Sequence, residues 1–136
     1  MSKCVDLIKK HEGLRLMPYK CTAGKLTIGY GRNIEDTGIS EEEAEYLLES
    51  DIQQCFNYLQ DKTDYFTGLC EPRQSVMVNM LFNLGWTRLS KFKNMIAAVK
   101  AGDYKKASIE MLDSRWAKQV GKRSTELAGI MESGQY

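Results

Sequence analysis

Glu12 is the side chain in this 136-residue sequence with the most direct route to acid–base chemistry. It stands between His11 and Gly13, where an amphipathic stretch stops and a glycine-rich one begins, so its carboxyl can project into a cleft between elements. Partial burial there is expected to raise its pKa. A carboxylic acid that stays protonated near neutral pH can protonate a departing alkoxide such as a glycosidic oxygen. A lone glutamate at a helix end is more often simply solvated, so its neighbours must carry the argument. Metal chemistry has no comparable foothold. His11 is the only histidine, and the cysteines at positions 4, 21, 55 and 70 show no Cys-x-x-Cys spacing. No metal site and no cofactor are expected.

The elements that must position Glu12 follow from periodicity. Cys4, Leu7, Ile8 and His11 recur at helical spacing behind Ser2, which predicts a short helix capped by Ser2 and stopped by Gly13. From 14 to 34, Leu14, Leu16, Tyr19, Leu26, Ile28 and Tyr30 are separated by polar residues and by Gly24, Gly29 and Gly31, the pattern of a small antiparallel sheet. Ser40-Glu41-Glu42-Glu43 has the form of a capping box. Ala44, Leu47, Leu48, Ile52, Cys55 and Leu59 then mark one face of a helix of roughly 20 residues, about 30 Å long. Pro72 suits the first turn of a further helix. Beyond it the chain reads as helical, with breaks at 85–90, 102–103 and 121, and Met77, Met80, Met95 and Met111 read as packing residues. The expected fold class is α+β, built as one domain over 1–136. The sheet and connecting helix form a lobe over about 12–60, and the N-terminal helix joins a helical lobe over about 61–136.

Charge narrows the partners. With 19 Lys and Arg against 18 Asp and Glu, the net charge is +1, and no field of either sign calls for nucleic acid. The chain has no apolar leader after Met1 and no run of 18 apolar residues. A cytosolic product with free thiols and no stable membrane association is expected.

Read together, the segment Glu12-Gly13-Leu14-Arg15-Leu16 … Cys21 … Leu26-Thr27-Ile28-Gly29-Tyr30-Gly31 resembles the catalytic segment of the bacteriophage-type lysozymes, glycoside hydrolase family 24. In that family the acidic Glu is followed after eight residues by Asp or Cys and after five more by Thr. The matching positions are Glu12, Cys21 and Thr27. The resemblance continues through Asn79-x-x-Phe82-Asn83-x-Gly85, Phe92 and Ala101-Gly102-Asp103-Tyr104. It ends in Ser114-Arg115-Trp116-x-x-Gln119-x-x-x-Arg123, so it covers nearly the whole chain.

The resemblance implies a lysozyme-like fold with a substrate cleft, and hydrolysis of the β-1,4 bond between N-acetylmuramic acid and N-acetylglucosamine in peptidoglycan. Glu12 is then the general acid, with Cys21 and Thr27 positioning or activating water. Asn33, Phe82, Asn83, Arg115 and Gln119 are the implied substrate contacts, although Phe82 suits the core equally well and Arg115 the cap of a neighbouring helix. Two positions depart from the common pattern. A Cys21 thiol of ordinary pKa near ~8.5 is mostly neutral at physiological pH, so it can act as a thiolate base, a weak acceptor that positions water, or a nucleophile, and Lys20 and Lys25 could lower its pKa. Arg32 stands where some members have histidine, and Glu35 or Asp36 are its nearest candidate partners.

The family implies a monomer that accumulates in the host cytoplasm, reaches the wall when a separate holin opens the inner membrane, and lyses the host. Two other readings stay open on the residues alone. A lytic transglycosylase would use the same Glu12 with the substrate's own hydroxyl as attacking group, and a non-catalytic relic would only bind peptidoglycan.

Overall fold

The computed structural model describes residues 1–136, which divide into two compact units, Met1–Leu47 and Leu48–Tyr136.

The first unit opens with helix α1 (Ser2–Glu12). The predicted Ser2 cap is not present. Met1 caps the helix, because its carbonyl already accepts the Val5 N–H at 3.0 Å, and Ser2 lies inside the first turn. At the other end Gly13 takes φ 70°, where a side chain would be strained, and Glu12 is left as the last helical residue. Strands β1 (Arg15–Lys20), β2 (Leu26–Gly29) and β3 (Arg32–Asn33) form an antiparallel sheet in that order. β1 pairs Arg15 with Gly29 and Tyr19 with Thr27, so three residues of β1 lie opposite one of β2. Pro18, which has no N–H to give to the ladder, falls in this irregular stretch. The β2–β3 hairpin pairs Ile28 with Arg32 and is closed by Gly29-Tyr30-Gly31, with both glycines at positive φ.

Asn33 then caps the single turn α2 (Ile34–Thr37), its Oδ1 accepting the Asp36 N–H at 3.1 Å. Helix α3 (Glu41–Lys62) starts from the expected capping box: the Ser40 N–H donates to Glu43 Oε1 at 2.9 Å, and the Glu43 N–H to Ser40 Oγ at 3.1 Å. The boundary between the units falls within α3.

The second unit is helical. After a single 3₁₀ turn at Phe66–Gly68 come α4 (Glu71–Leu84), α5 (Trp86–Leu89), α6 (Lys93–Lys100), α7 (Tyr104–Leu112), α8 (Arg115–Val120) and α9 (Lys122–Ser133). Pro72 sits in the first turn of α4, as its fixed φ favours. The predicted break at 85–90 contains α5, because Gly85 at φ 75° ends one helix and starts the next. Leu59, Phe66, Val76, Met77, Met80, Leu89, Met95, Met111 and Met131 are fully buried. Burying each such side chain contributes about 1.5–3 kcal/mol. Of the apolar face expected on α3, only Leu59 is in this core. Cys55 is half-buried, while Leu48 and Ile52 are exposed. Arg73 ties α4 to the end of α9, donating to the Met131 and Glu132 carbonyls at 2.7 and 2.8 Å while its guanidinium lies over the Tyr104 ring at 3.6 Å. The chain is an α+β protein of lysozyme-like type, mostly helical with one small antiparallel sheet.

Candidate active site

Cys21 and Thr27 meet at the carbonyl of Lys25. Cys21 leaves β1 and enters a tight turn in which its own carbonyl accepts the Gly24 N–H at 2.8 Å, and its N–H returns to the Lys25 carbonyl at 2.9 Å. The same carbonyl accepts the Thr27 hydroxyl at 2.8 Å. Thr27 is 3% exposed and Cys21 half-buried. The thiol is held below its ordinary range, chiefly by the backbone N–H groups of Lys25 and then of Ala23, with the Thr27 hydroxyl a smaller contribution against a small opposing effect of burial. The lysine charges expected to lower it are not the cause. Lys25 turns its ammonium to Glu35 and Asp36 at 3.5 and 3.3 Å, and its effect on the thiol comes through its main chain.

Glu12 meets a different part of the same sheet, the β2–β3 hairpin. Its carboxyl and Cγ rest on Gly31, where an added Cβ would lie 2.8 Å from Oε2, 2.9 Å from Cδ and 3.2 Å from Cγ. Lys9, one turn back on α1, holds its ammonium 5.3 Å from the centre of the neighbouring Tyr30 ring. The partial burial expected for Glu12 is absent, and the residue is exposed. The physical reason lies in α1, which buries none of its residues.

Around this hairpin the remaining first-unit candidates carry structure. Arg32 pairs with neither Glu35 nor Asp36. Its guanidinium grips Glu43 through Nη2–Oε2 at 2.8 Å and Nη1–Oε1 at 3.1 Å, with a further bond to the Gly38 carbonyl at 3.1 Å. Lys25 already occupies the two acids nearer in sequence. Asn33 is engaged through both side-chain atoms, since Nδ2 also donates to Asp36 Oδ2 at 3.0 Å. Asn33, Asp36 and Lys25 therefore form a chain of contacts that ends in the residue whose carbonyl organises Cys21 and Thr27. Sequence reasoning placed Gly31 in the motif and Glu43 in the capping box, but missed Gly31 as the seat of Glu12, Glu43 as the partner of Arg32, and the Lys25 carbonyl.

In the second unit the structure separates Phe82 from Asn83. Consecutive helical residues point about 100° apart. Phe82, 49% exposed, lines an apolar cavity of about 750 Å³ with Leu48, Ile52, Phe56 and Val78, so it is not core. Asn83 instead accepts the Trp116 indole N–H at 2.8 Å. Arg115 and Gln119 line a cavity of mixed polarity of about 450 Å³ beside Arg88, Phe92 and Trp116, and Gln119 accepts from Arg88 at 3.4 Å. Arg115 is the first residue of α8, whose cap is Ser114. Asn79 and Arg123 explain one another, since Arg123 brings Nε and Nη2 to Asn79 Oδ1 at 3.0 and 2.7 Å. No three His, Cys, Asp or Glu side chains come together in a way that could hold a metal ion.

An acid-bearing helix end on a three-stranded sheet that also carries a thiol and a hydroxyl, followed by a helical unit, is the arrangement that the resemblance to the lysozymes implies. The phage lysozyme family model matches residues 9–132, which takes in every residue discussed above as a site candidate, and the chain belongs to that family. An endolysin of Acyrthosiphon pisum secondary endosymbiont phage 1 is 37% identical over 137 residues, covering 98% of this chain and 90% of its own. A probable T4-type lysozyme 2 of Dictyostelium discoideum is 28% identical over 163 residues, with 98% and 96% covered. The chain is thus a lysozyme, a glycoside hydrolase that acts on peptidoglycan.

Proposed function

We propose that the chain hydrolyses the β-1,4 bond between N-acetylmuramic acid and N-acetylglucosamine, with Glu12 as general acid and Cys21 and Thr27 holding and activating the attacking water. The observation that carries this reading is the shared Lys25 carbonyl, which accepts the main-chain N–H of Cys21 and the hydroxyl of Thr27. A hydroxyl whose proton is engaged by that carbonyl has its lone pairs left as acceptors, the polarity needed to draw a proton from water. A thiol held below its ordinary range carries more thiolate at a given pH, and so takes on part of the work that an aspartate does at this position in other members. Glu12, seated on Gly31 rather than within that pair, protonates the leaving oxygen. Phe82 offers an exposed face to a sugar ring, and Arg115 and Gln119 offer polar groups to acetamido or peptide groups.

Mass spectrometry of digested peptidoglycan tests the reaction. Reducing N-acetylmuramic ends are expected; anhydro ends would establish a lytic transglycosylase instead. Glu12→Gln should lose wall clearing while still binding walls, and a wild-type chain that never clears walls would leave only a binding role. No helix is long and apolar enough to cross a membrane. The enzyme acts as a monomer that causes host lysis, waiting in the host cytoplasm until a separate holin opens the inner membrane.

A further inference from the structure

Two glycines flank Tyr30 in nearly the same backbone state, Gly29 at the end of β2 at φ +73° and Gly31 before β3 at φ +81°. Any L-residue at either position is strained to a similar degree. They differ in what a side chain would meet. A Cβ at Gly29 finds nothing within 4 Å, whereas one at Gly31 falls 2.8 Å from Glu12 Oε2 and 2.9 Å from Glu12 Cδ, inside any real contact distance. The atoms in the way belong to the far end of a flexible, exposed side chain rather than to backbone. The inexpensive response to a methyl group at 31 is therefore for the carboxyl to leave its seat while the hairpin stays folded.

We infer that Gly31 is a positioning residue for the Glu12 carboxyl: the bare Cα of Gly31 is the surface on which that carboxyl rests, and a side chain there displaces the acid without unfolding the unit. The inference rests on the reading of Glu12 as the general acid. Proton delivery to a leaving oxygen requires the carboxyl within hydrogen-bond reach of it, and a shift of about an ångström can lower the rate up to about a hundredfold. Displacement of this kind acts on the chemical step, so it lowers kcat and leaves KM largely unchanged.

The test compares Gly29→Ala, Gly31→Ala and Glu12→Gln in the full chain, with kcat and KM measured on soluble peptidoglycan glycan fragments and unfolding midpoints in urea. Both alanine variants should unfold at similarly lowered midpoints. Gly29→Ala should keep the wild-type kcat, while Gly31→Ala should lose at least about tenfold in kcat with little change in KM. Equal kcat for the two alanine variants overturns the inference. An active Glu12→Gln variant would instead remove the acid assignment itself. Should Gly31→Ala fail to fold where Gly29→Ala folds, recovery of folding by Glu12→Ala supports the contact, and absence of recovery overturns it.

Discussion

Asn83 Oδ1 accepts the indole N–H of Trp116 at 2.8 Å, and Trp116 is only 3% exposed. Removing the acceptor leaves a buried donor without a partner, which costs about 1–3 kcal/mol. Asn83→Ala should lower stability by that amount in urea unfolding, while Asn83→Asp, which keeps an acceptor oxygen, should lose less. Wild-type stability in Asn83→Ala would show that water replaces the bond. The same bond means that activity lost in Asn83 variants must be corrected for Trp116 before it is assigned to substrate contact.

Cys21 and Cys55 are shifted in opposite directions. Backbone N–H groups lower the Cys21 pKa, and burial followed by the Asp51 charge raises that of Cys55. Alkylation by iodoacetamide, followed residue by residue with peptide mass spectrometry, should therefore reach half-maximal rate at lower pH for Cys21 than for Cys55. The reverse order would contradict the arrangement around the thiol. Alkylation should stop wall clearing, and Cys21→Asp should remain active while escaping this inhibition. A folded but inactive Cys21→Asp would point to chemistry that only the thiol performs.

The hydrogen bond from Arg32, with those from Ser40, holds Glu43 down from 4.5 to about 2. A carboxylate depressed in the folded state stabilises above its unfolded pKa, and the contribution disappears as pH falls through the folded value. The wild type should be more stable than Glu43→Gln at neutral pH, with the gap constant down to about pH 4.5 and closed near pH 2. Thermal unfolding across this range checks it, and a gap independent of pH would refute the ion pair as its source.

Tyr65 has a buried hydroxyl with no hydrogen-bond partner, and burial, aided by the Asp64 charge, pushes its pKa from 10.0 up to about 12. Between those values the unfolded chain has released a proton that the folded chain retains, so rising pH favours unfolding. Tyr65→Phe should lose no stability at pH 7, gaining up to about 1 kcal/mol, and should lose stability less steeply from pH 10 to 12 than the wild type. A destabilised Tyr65→Phe at pH 7 would reveal a bond that this hydroxyl makes in solution.

The sequence by itself determined the elements and the order in which chemistry is strung along them. The Ser40–Glu43 capping box, Pro72 at the head of α4, the stop at Gly13 and the buried methionines are local or periodic signals, and each is present as read. The spacing of Glu12, Cys21 and Thr27 was legible because it is a property of the chain. Only the tertiary structure decided which groups those side chains face. Arg32 reaches past the nearby acids to Glu43 because Lys25 already holds them, and the Cys21 thiol responds to main-chain N–H groups rather than to lysine charge. Asn83 turns to Trp116 while its neighbour Phe82 turns outward. Spacing fixes which residues share a strand or a helix face. Hydrogen-bond partners depend on directions and distances across 11 residues for Arg32 and Glu43 and 33 for Asn83 and Trp116, and those exist only once the chain is folded.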